Sequence, residues 1–231
     1  MDPLTLRETI RVVHGRLPLL AWHLERLAEG GVRAEELRPV EAAAIVATRQ
    51  APAAALKLQV VVAPGGRVSV HASSEASSLD VPGGPVVVPV TVRELPTLPP
   101  HAAKPADRAY WDGPQRLAHL RGGDQAVLVA PDGAVVDGGT ATVWAVLGDV
   151  LVTPPAPPAI AGVARRLILR ELAPLLGLAT EVRPLPLEEL LSAEETLISN
   201  AVGGIVAARG RGGPVASELA AAWLRALQMP R

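Results

Sequence analysis

Pro99-Pro100-His101-Ala102-Ala103-Lys104-Pro105-Ala106-Asp107-Arg108 is the stretch on which the interpretation of this sequence depends, because it joins two halves of the chain and contains one of its two lysines. The chain has 20 arginines, so arginine is its usual positive charge. A lysine amine can lose its proton and attack a carbonyl group, whereas a guanidinium cannot. Lys104 is therefore a candidate for Schiff-base chemistry, and an exposed loop lysine is the alternative from this feature alone.

The composition describes an ordinary globular protein. The chain has 231 residues, 49% of them hydrophobic, which is enough for one large domain or two small ones with a sizeable core. A net charge of -1 and the lack of a basic stripe with aromatics argue against a nucleic-acid partner. The sequence has no cysteine, no apolar run of membrane-spanning length and no signal-peptide pattern at its start. We therefore expect a cytoplasmic protein without a metal site or a membrane partner.

Hydrophobic periodicity divides the chain into two α+β halves on either side of the decapeptide. The Pro-rich residues before Lys104 are suited to a stiff linker, so we expect an N-terminal α+β domain over 1–98, an interdomain loop over 99–105 and a C-terminal α+β domain over 106–231. In the first half, the patterns predict strands over 5–13, 57–62, 67–72 and 85–93, and helices from about 19 to 27 and 39 to 50. In the second half, they predict helices over 107–121, 162–176, 187–192 and 215–228, and strands over 125–130, 134–137, 142–147, 149–153, 179–183 and 195–199.

Two places in the second half are candidates for binding an anion. Gly162 opens a helix after a strand and a Pro-rich turn, and the first turn of a helix has unpaired N–H groups and the positive end of the dipole. Ser199-Asn200-Ala201 ends a strand just before two glycines, where backbone N–H groups can face an anion. Arg26 is a candidate countercharge for it. Taken separately, each feature is better explained by an ordinary turn or a solvated arginine.

Six segments taken together resemble the class IV aminotransferases, fold-type-IV enzymes that use pyridoxal 5'-phosphate, and most of all their aminodeoxychorismate lyase branch. The segments are 8–12 with Gly15, 23–27, 104–108, 132–144, 162–165 and 193–201. The resemblance implies a two-domain fold like that of D-amino acid aminotransferase, with a small N-terminal α/β sandwich and a C-terminal pseudo-barrel. It also implies a homodimer and a small-molecule substrate.

The resemblance assigns roles to individual residues. Lys104 would form the covalent link to pyridoxal 5'-phosphate, and Asp137 would face the pyridine nitrogen, although a turn residue is an equally good interpretation of Asp137. The cofactor phosphate would be bound by Arg26, by the backbone N–H groups of Val163 and Ala164, and by Ala201 or its neighbour Asn200. The candidates for binding substrate carboxylates are Arg11, Lys57 and Arg108, each of which is otherwise a surface charge.

The chain departs from the family pattern at three positions. Asp137 replaces a usual Glu, Thr142 a frequent Asn, and Ala164 a frequent Thr, which removes a hydroxyl from the phosphate site. The segments 104–108 and 198–201 favour a lyase that converts 4-amino-4-deoxychorismate to 4-aminobenzoate and pyruvate. A class IV aminotransferase of branched-chain or D-amino acids is the first alternative. The second is a catalytically impaired member that binds a small molecule, and the departures at Asp137 and Ala164 motivate it.

Overall fold

A three-stranded antiparallel sheet covered by two helices forms the first part of the fold in a computed structural model, which describes residues 5–51 and 56–228. The sheet consists of β1 (Leu6–Arg11), β2 (Lys57–Ala63) and β3 (Arg67–Ser73), in that order. The helices α1 (Leu20–Glu29) and α2 (Ala34–Gln50) pack on its apolar face. A tight turn at 64–66 joins β2 to β3, and Gly65 and Gly66 there have φ of 76° and 74°, which favours glycine.

Strand β1 has two chemically different faces, because successive side chains of a strand point in opposite directions. Leu6, Glu8 and Ile10 are 1 to 2% exposed and point into the core, whereas the side chains that alternate with them are only partly buried. The partly buried set is Arg7, Thr9 and Arg11. A carboxylate therefore lies in the core beside two aliphatic residues, and the opposite face of the strand is polar.

The second part of the fold contains two further sheets. β4 (Val87–Thr91), α3 (Ala109–Leu120), β5 (Gln125–Val129) and β6 (Val135–Gly138) build a sheet of order β4-β5-β6 with its helix. The remaining strands are β7 (Thr142–Leu147), β8 (Val150–Thr153), β9 (Ala179–Val182), β10 (Glu195–Asn200) and β11 (Gly204–Ala207), in the order β11-β10-β7-β8-β9.

Helical elements connect and cover the five-stranded sheet. α4 (Val163–Leu167) continues through a π-helical turn at Ile168–Leu172 into α5 (Ala173–Leu176), which ends at Gly177 in the left-handed conformation. α6 (Leu187–Ser192) and α7 (Pro214–Gln228) follow. The largest core cluster packs α4, α7 and the sheet around Trp144 and Trp223, which are 1% and 2% exposed.

Three features differ from the sequence-based expectation. α2 begins at Ala34 rather than near Pro39, because the Glu36 side chain accepts the Arg33 backbone N–H at 3.0 Å and closes the first turn. β11 was not predicted. The strand expected over 85–93 pairs in parallel with β5 instead of joining the first sheet, although we grouped it with residues 1–98. The division of the chain at residues 98 and 105 stays a prediction.

Two further properties bear on function. Within the described part of the chain, none of the helices combines the length and the hydropathy needed to traverse a lipid bilayer. Residues 5–51 and 56–228 also contain no group of three or more His, Cys, Asp or Glu side chains placed to hold a metal ion.

Candidate active site

A cavity of about 600 Å³ lies between the polar face of the first sheet and the second half of the chain. Its wall comes from β1 and β2, the Lys104 loop, the turn between β6 and β7, the start of α4 and the end of β10. The sequence-predicted residues that line it are Arg26, Lys57, Lys104, Arg108, Asp137, Val163, Ala164, Asn200 and Ala201. Arg11 is not part of the lining, and its guanidinium donates to the Val202 carbonyl at 2.5 Å.

The Lys104 amine lies in the wall of this cavity. Its Nζ donates a hydrogen bond to Thr9 Oγ1 at 3.3 Å. Burial is the main cause that lowers the pKa of Lys104 to about 7, and the nearby charges of Arg108 and Arg26 act in the same direction. A large fraction of this amine is therefore unprotonated and nucleophilic at neutral pH, unlike an ordinary surface lysine.

Backbone hydrogen bonds hold the lysine loop against β1. The Arg7 N–H donates to the Lys104 carbonyl at 3.0 Å, and the Ala106 N–H donates to the Thr5 carbonyl at 2.8 Å. Ala103, 1% exposed, packs so closely on α1 that a Cβ at Gly30 would lie 2.7 Å from the Ala103 Cβ. The loop behaves as an added strand at the edge of β1, which fixes the backbone position of the lysine.

Asp137 lies at another part of the same cavity. It is 4% exposed and accepts hydrogen bonds from the Ile160 N–H at 3.1 Å, the Gly138 N–H at 2.9 Å and Trp111 Nε1 at 3.3 Å. Burial raises the pKa of Asp137 to about 6, although these donors and the Arg108 charge oppose it. A buried carboxylate of this kind favours a protonated nitrogen of a ligand as its partner.

Arg26 is held by a buried carboxylate. Arg26 Nε donates to Glu8 Oε1 at 2.8 Å and its Nη2 donates to Glu8 Oε2, while His23 Nδ1 lies 2.5 Å from Glu8 Oε2. Burial alone would raise the pKa of Glu8, but Arg26 and His23 outweigh it and lower that pKa to about 2. Arg26 Nη1 reaches the Ala161 carbonyl at 3.2 Å, which places the guanidinium beside the start of α4.

The start of α4 and the end of β10 form the side of the cavity next to Arg26. Gly162 precedes α4, and a Cβ there would lie 3.0 Å from Thr142 Oγ1. Glycine therefore lets the backbone at the start of α4 lie close to the Thr142 hydroxyl. The first N–H groups of the helix have no acceptor within the helix. Asn200 Oδ1 accepts from the N–H groups of Val202 and Gly203 at 3.0 and 2.7 Å, so the Asn200 side chain shapes the turn that contains Ala201.

The candidate carboxylate-binding residues differ in their surroundings. Lys57 donates to Glu75 at 3.1 Å. Arg108 donates to the Gly139 carbonyl at 2.5 Å, lies 4.9 Å from the centre of the Trp111 ring and has Asp112 at 3.8 Å. Arg108 is thus fixed close enough to Asp137 for the two charges to interact.

These groups fit the cofactor that the resemblance implies. An amine with a pKa near 7 suits an aldehyde, and a buried carboxylate suits a protonated pyridine nitrogen. A guanidinium beside a helix start suits a phosphate. Because all three line one cavity, the donor set matches pyridoxal 5'-phosphate.

Sequence analysis missed Arg7, Thr9 and Gln59 in the cavity wall, and Glu8 behind it. The alternation of β1 was the available signal, since a strand that places Leu6 and Ile10 in the core also places Glu8 there. The same alternation puts Arg7 and Thr9 on the face of Arg11. Gln59 lies directly opposite Thr9 on β2, a pairing that the sequence alone does not give.

Comparisons with known proteins agree on the family and the fold. The family model described as amino-transferase class IV matches residues 5–210. A fold IV-transaminase from Curtobacterium pusillum superposes with a TM-score of 0.76 at 21% identity, covering 99% of this chain and 87% of the other. Among curated protein sequences, none matches the chain.

Two further solved structures are similar over nearly the whole length. A hypothetical aminotransferase from Mycobacterium tuberculosis, in a form bound to pyridoxal phosphate (PLP), gives a TM-score of 0.79 at 20% identity, with 98% of this chain and 89% of the other covered. The branched-chain amino acid aminotransferase of Escherichia coli gives 0.77 at 21% identity, with 94% and 83% covered. The expected α+β architecture of fold type IV is confirmed.

Proposed function

Because the chain belongs to the class IV aminotransferase family, we propose that it is a pyridoxal-phosphate-dependent enzyme whose reactive residue is Lys104. The single observation that carries this proposal is the Lys104 amine, with its pKa lowered to about 7 mainly by burial, in one cavity with Asp137 and Arg26. An exposed loop lysine would keep a pKa near 10.4 and would stay protonated at neutral pH.

Different residues would bind the three polar parts of the cofactor, according to the charge of each part. Lys104 would bind its aldehyde carbon, Asp137 would face the ring nitrogen, and Arg26 with the N–H groups of Val163 and Ala164 would bind the phosphate. When bound, the cofactor supplies an electron sink for the carbon that bears the substrate nitrogen.

Lys104 then has a second task in this proposal, which is to move a proton. Its amine, unprotonated near neutral pH, accepts the proton from the substrate carbon that bears nitrogen. Thr9 Oγ1, 3.3 Å from Nζ, orients the lysine nitrogen and offers a hydroxyl for passing the proton on. The carboxylate of Asp137, held by three donors, would favour a proton on the ring nitrogen of the bound cofactor.

For the reaction itself we favour the lyase that cleaves 4-amino-4-deoxychorismate into 4-aminobenzoate and pyruvate. Removal of the ring proton and cleavage of the carbon–oxygen bond to the enolpyruvyl group leave an aromatic ring, and the departing enol gains a proton as it becomes pyruvate. Two groups support this choice, the hydroxyl of Thr9 next to the lysine as a proton carrier and Arg108 facing the cavity as a carboxylate partner.

The test is a product assay on protein purified with added pyridoxal phosphate. We expect 4-amino-4-deoxychorismate to yield equal amounts of 4-aminobenzoate and pyruvate, measured by chromatography, and Lys104→Ala to yield neither. Borohydride should fix the cofactor to a peptide that contains Lys104. Amino-group exchange between amino acids and 2-oxo acids without 4-aminobenzoate would refute the lyase and keep the cofactor assignment.

A transaminase is the second candidate, favoured by the similarity of the fold to a solved branched-chain amino acid aminotransferase. It needs the same lysine and carboxylate, and the same assay separates it from the lyase. A catalytically impaired binder is the remaining alternative, and a protein that stays colourless with added pyridoxal phosphate would favour it. A homodimer and a cytoplasmic location stay predictions, and sedimentation of the purified protein tests the first of them.

A further inference from the structure

Arg7 is the cation of the cavity wall whose charge lacks a partner among the described residues. Besides Lys104, three other described basic residues line the wall, and each has a carboxylate no farther than 3.8 Å. The pairs are Arg26 with Glu8, Lys57 with Glu75, and Arg108 with Asp112. Arg7 has no ion pair, and its Nε is shielded from solvent without a hydrogen-bond acceptor within residues 5–51 and 56–228. A shielded donor without an acceptor costs free energy, and a ligand in the cavity could supply the acceptor that Arg7 lacks. Arg7 is the residue of the cavity lining to which this applies among the described residues, since the other shielded donors without an acceptor lie outside that lining.

The position of Arg7 is fixed by the backbone on both sides. It is the second residue of β1, pairs with Val61 of β2, and donates its own N–H to the Lys104 carbonyl at 3.0 Å. Its side chain points to the polar face that lines the cavity, beside Thr9. A guanidinium held in this way presents a fork of N–H donors that matches a carboxylate.

Arg7 differs from Arg26 in its contacts. Arg26 binds Glu8 through Nε and Nη2, and its Nη1 reaches the Ala161 carbonyl just before α4, whereas Arg7 Nε has no acceptor among the described residues. Arg7 lies close enough to Lys104 and to Arg108 for its charge to act on both. Arg108 is fixed to the Gly139 carbonyl, near Asp137.

We propose that Arg7 binds a carboxylate of the amine substrate and thereby restricts the site to aminocarboxylates, excluding amines without an acid group. This inference rests on the proposed amine chemistry at Lys104. Arg7 would act together with Arg108, whose guanidinium lines the same cavity and lies close enough to feel the Arg7 charge. Neither Arg11, which lies outside the lining, nor Lys57, which has Glu75 as partner, offers an equally free charge.

The experiment compares charged and neutral probes by titration calorimetry on protein loaded with pyridoxal phosphate. The probe pairs are 4-aminobenzoate with 4-aminobenzamide, and succinate with succinamate. We expect the wild-type protein to prefer the probe with the additional carboxylate in at least one pair by about tenfold to a hundredfold, the range of a charge-assisted pair. Arg7→Gln should abolish that preference, and Arg7→Lys, which keeps the charge, should retain part of it.

Arg67→Gln is the matched control, because Arg67 is an exposed arginine of the same sheet outside the cavity lining. It should leave the preference unchanged. An Arg7→Gln protein that keeps the full preference overturns the proposal, and so does one that loses affinity for pyridoxal phosphate instead, because Arg7 would then bind the phosphate. If Arg7→Gln does not fold, an Arg7→Lys protein with a reduced probe preference and an unaltered affinity for the cofactor supports the proposal, and one with an unaltered preference, or with weakened cofactor binding alone, overturns it.

The outcomes also separate this inference from the proposed function. A wild-type protein that makes no 4-aminobenzoate but prefers succinate to succinamate through Arg7 supports the inference and refutes the lyase. A protein that makes 4-aminobenzoate while Arg7→Gln leaves both probe preferences intact supports the lyase and refutes the inference.

Discussion

Lys104 places an ionisable amine where burial disfavours its charge, and this has a consequence for stability. Its pKa is about 7 in the folded protein and 10.5 in its ordinary state. Between these values the unfolded chain binds more protons, so the lysine destabilises the cofactor-free fold at neutral pH and this destabilisation fades as the pH rises toward 10.5. The residue that we propose as reactive therefore lowers the free energy of unfolding of the cofactor-free protein.

Lys104→Met is expected to stabilise the cofactor-free protein at pH 7 by about 3 kcal/mol, because an apolar chain replaces a charge that the site disfavours. The gain should shrink as the pH approaches 10. Urea unfolding of both proteins at a series of pH values measures the difference. A Lys104→Met protein less stable than wild type across the series would show that the amine is well solvated.

Glu8 has the opposite dependence on pH. Arg26 and His23 lower its pKa from 4.5 to about 2 against the effect of burial. A lowered carboxylate pKa contributes stability that is fully present above pH 4.5 and is lost as the pH falls through about 2.

Glu8→Gln should therefore cost about 3 to 5 kcal/mol at pH 7, since it leaves the Arg26 charge buried without its partner. The difference in the free energy of unfolding between Glu8→Gln and wild type should decrease below pH 4. Acid and urea titrations followed by circular dichroism report both effects. Equal stability of the two proteins at pH 7 would contradict the buried ion pair.

Among single residues, those that stand out chemically in the sequence, such as Lys104, could be predicted as members of the site. Asp137 and Arg26, to which the resemblance assigns contacts with the cofactor, line the cavity of Lys104. Both belong to short motifs that can be found in the sequence, and their roles stay predictions. Arg7 and Glu8 were not predicted as site residues, although Glu8 is the first residue of the segment 8–12 and Arg7 precedes it. Which of two neighbouring side chains faces a cavity depends on what covers each face of the strand, and that is decided by residues far away in the chain.

At the scale of elements, we expect the start of α4 to determine how tightly the cofactor phosphate is bound. Ala164 lines the cavity and is 1% exposed, in a position where a hydroxyl would add a donor next to the helix N–H groups.

Ala164→Ser is expected to raise the affinity for pyridoxal phosphate by about threefold to tenfold, the gain of one hydrogen bond. Ala221→Ser, at an exposed position of α7, is the control and should change nothing. Fluorescence titration with the cofactor measures both. Unchanged or weaker binding by Ala164→Ser would show that the phosphate does not reach this turn.

Most helices and strands followed from the sequence, because each has a local period and a local stop signal. The start of α2 is an exception. Pro39 predicts a beginning five residues after the observed one at Ala34, because Glu36 closes the first turn earlier in the chain. β11 was missed because its four residues, Gly204–Ala207, are too few to show a period. Their pairing with β10 supplies what the local sequence lacks.

Over the whole molecule, ion pairs between α4 and α1 join the second half of the chain to the first. Arg166, at the end of the first turn of α4, pairs with Glu29 and lies 3.2 Å from Glu25, and both carboxylates belong to α1. These contacts hold α1, which positions Arg26, against the helix that starts at Val163. We expect them to set the width of the phosphate-binding side of the cavity.

Arg166→Met should lower the free energy of unfolding by about 1 to 2 kcal/mol, because the two glutamates are partly exposed and regain water. It should also weaken cofactor binding. Arg170→Met is the matched control, since Arg170 also pairs with Glu25 but is 55% exposed, and it should cost less than about 0.5 kcal/mol. Equal losses for the two variants in urea unfolding would contradict this account.

The order of strands in the sheets could not be predicted, because it depends on contacts between distant parts of the chain. β4 follows the first sheet in sequence and yet pairs with β5, 38 residues further on, after α3 has crossed between them. A sequence pattern identifies a strand but not its neighbour.

The two faces of strand β1 have different surroundings. Glu8 points into the core, and Arg7 and Thr9 point to the cavity. Removing one residue from it would shift every later side chain to the opposite face, bringing an acid before the reactive amine and a guanidinium into the aliphatic interior. Length is thus under stricter constraint here than residue identity, and insertions or deletions should be tolerated at the 64–66 turn but not between Leu6 and Arg11.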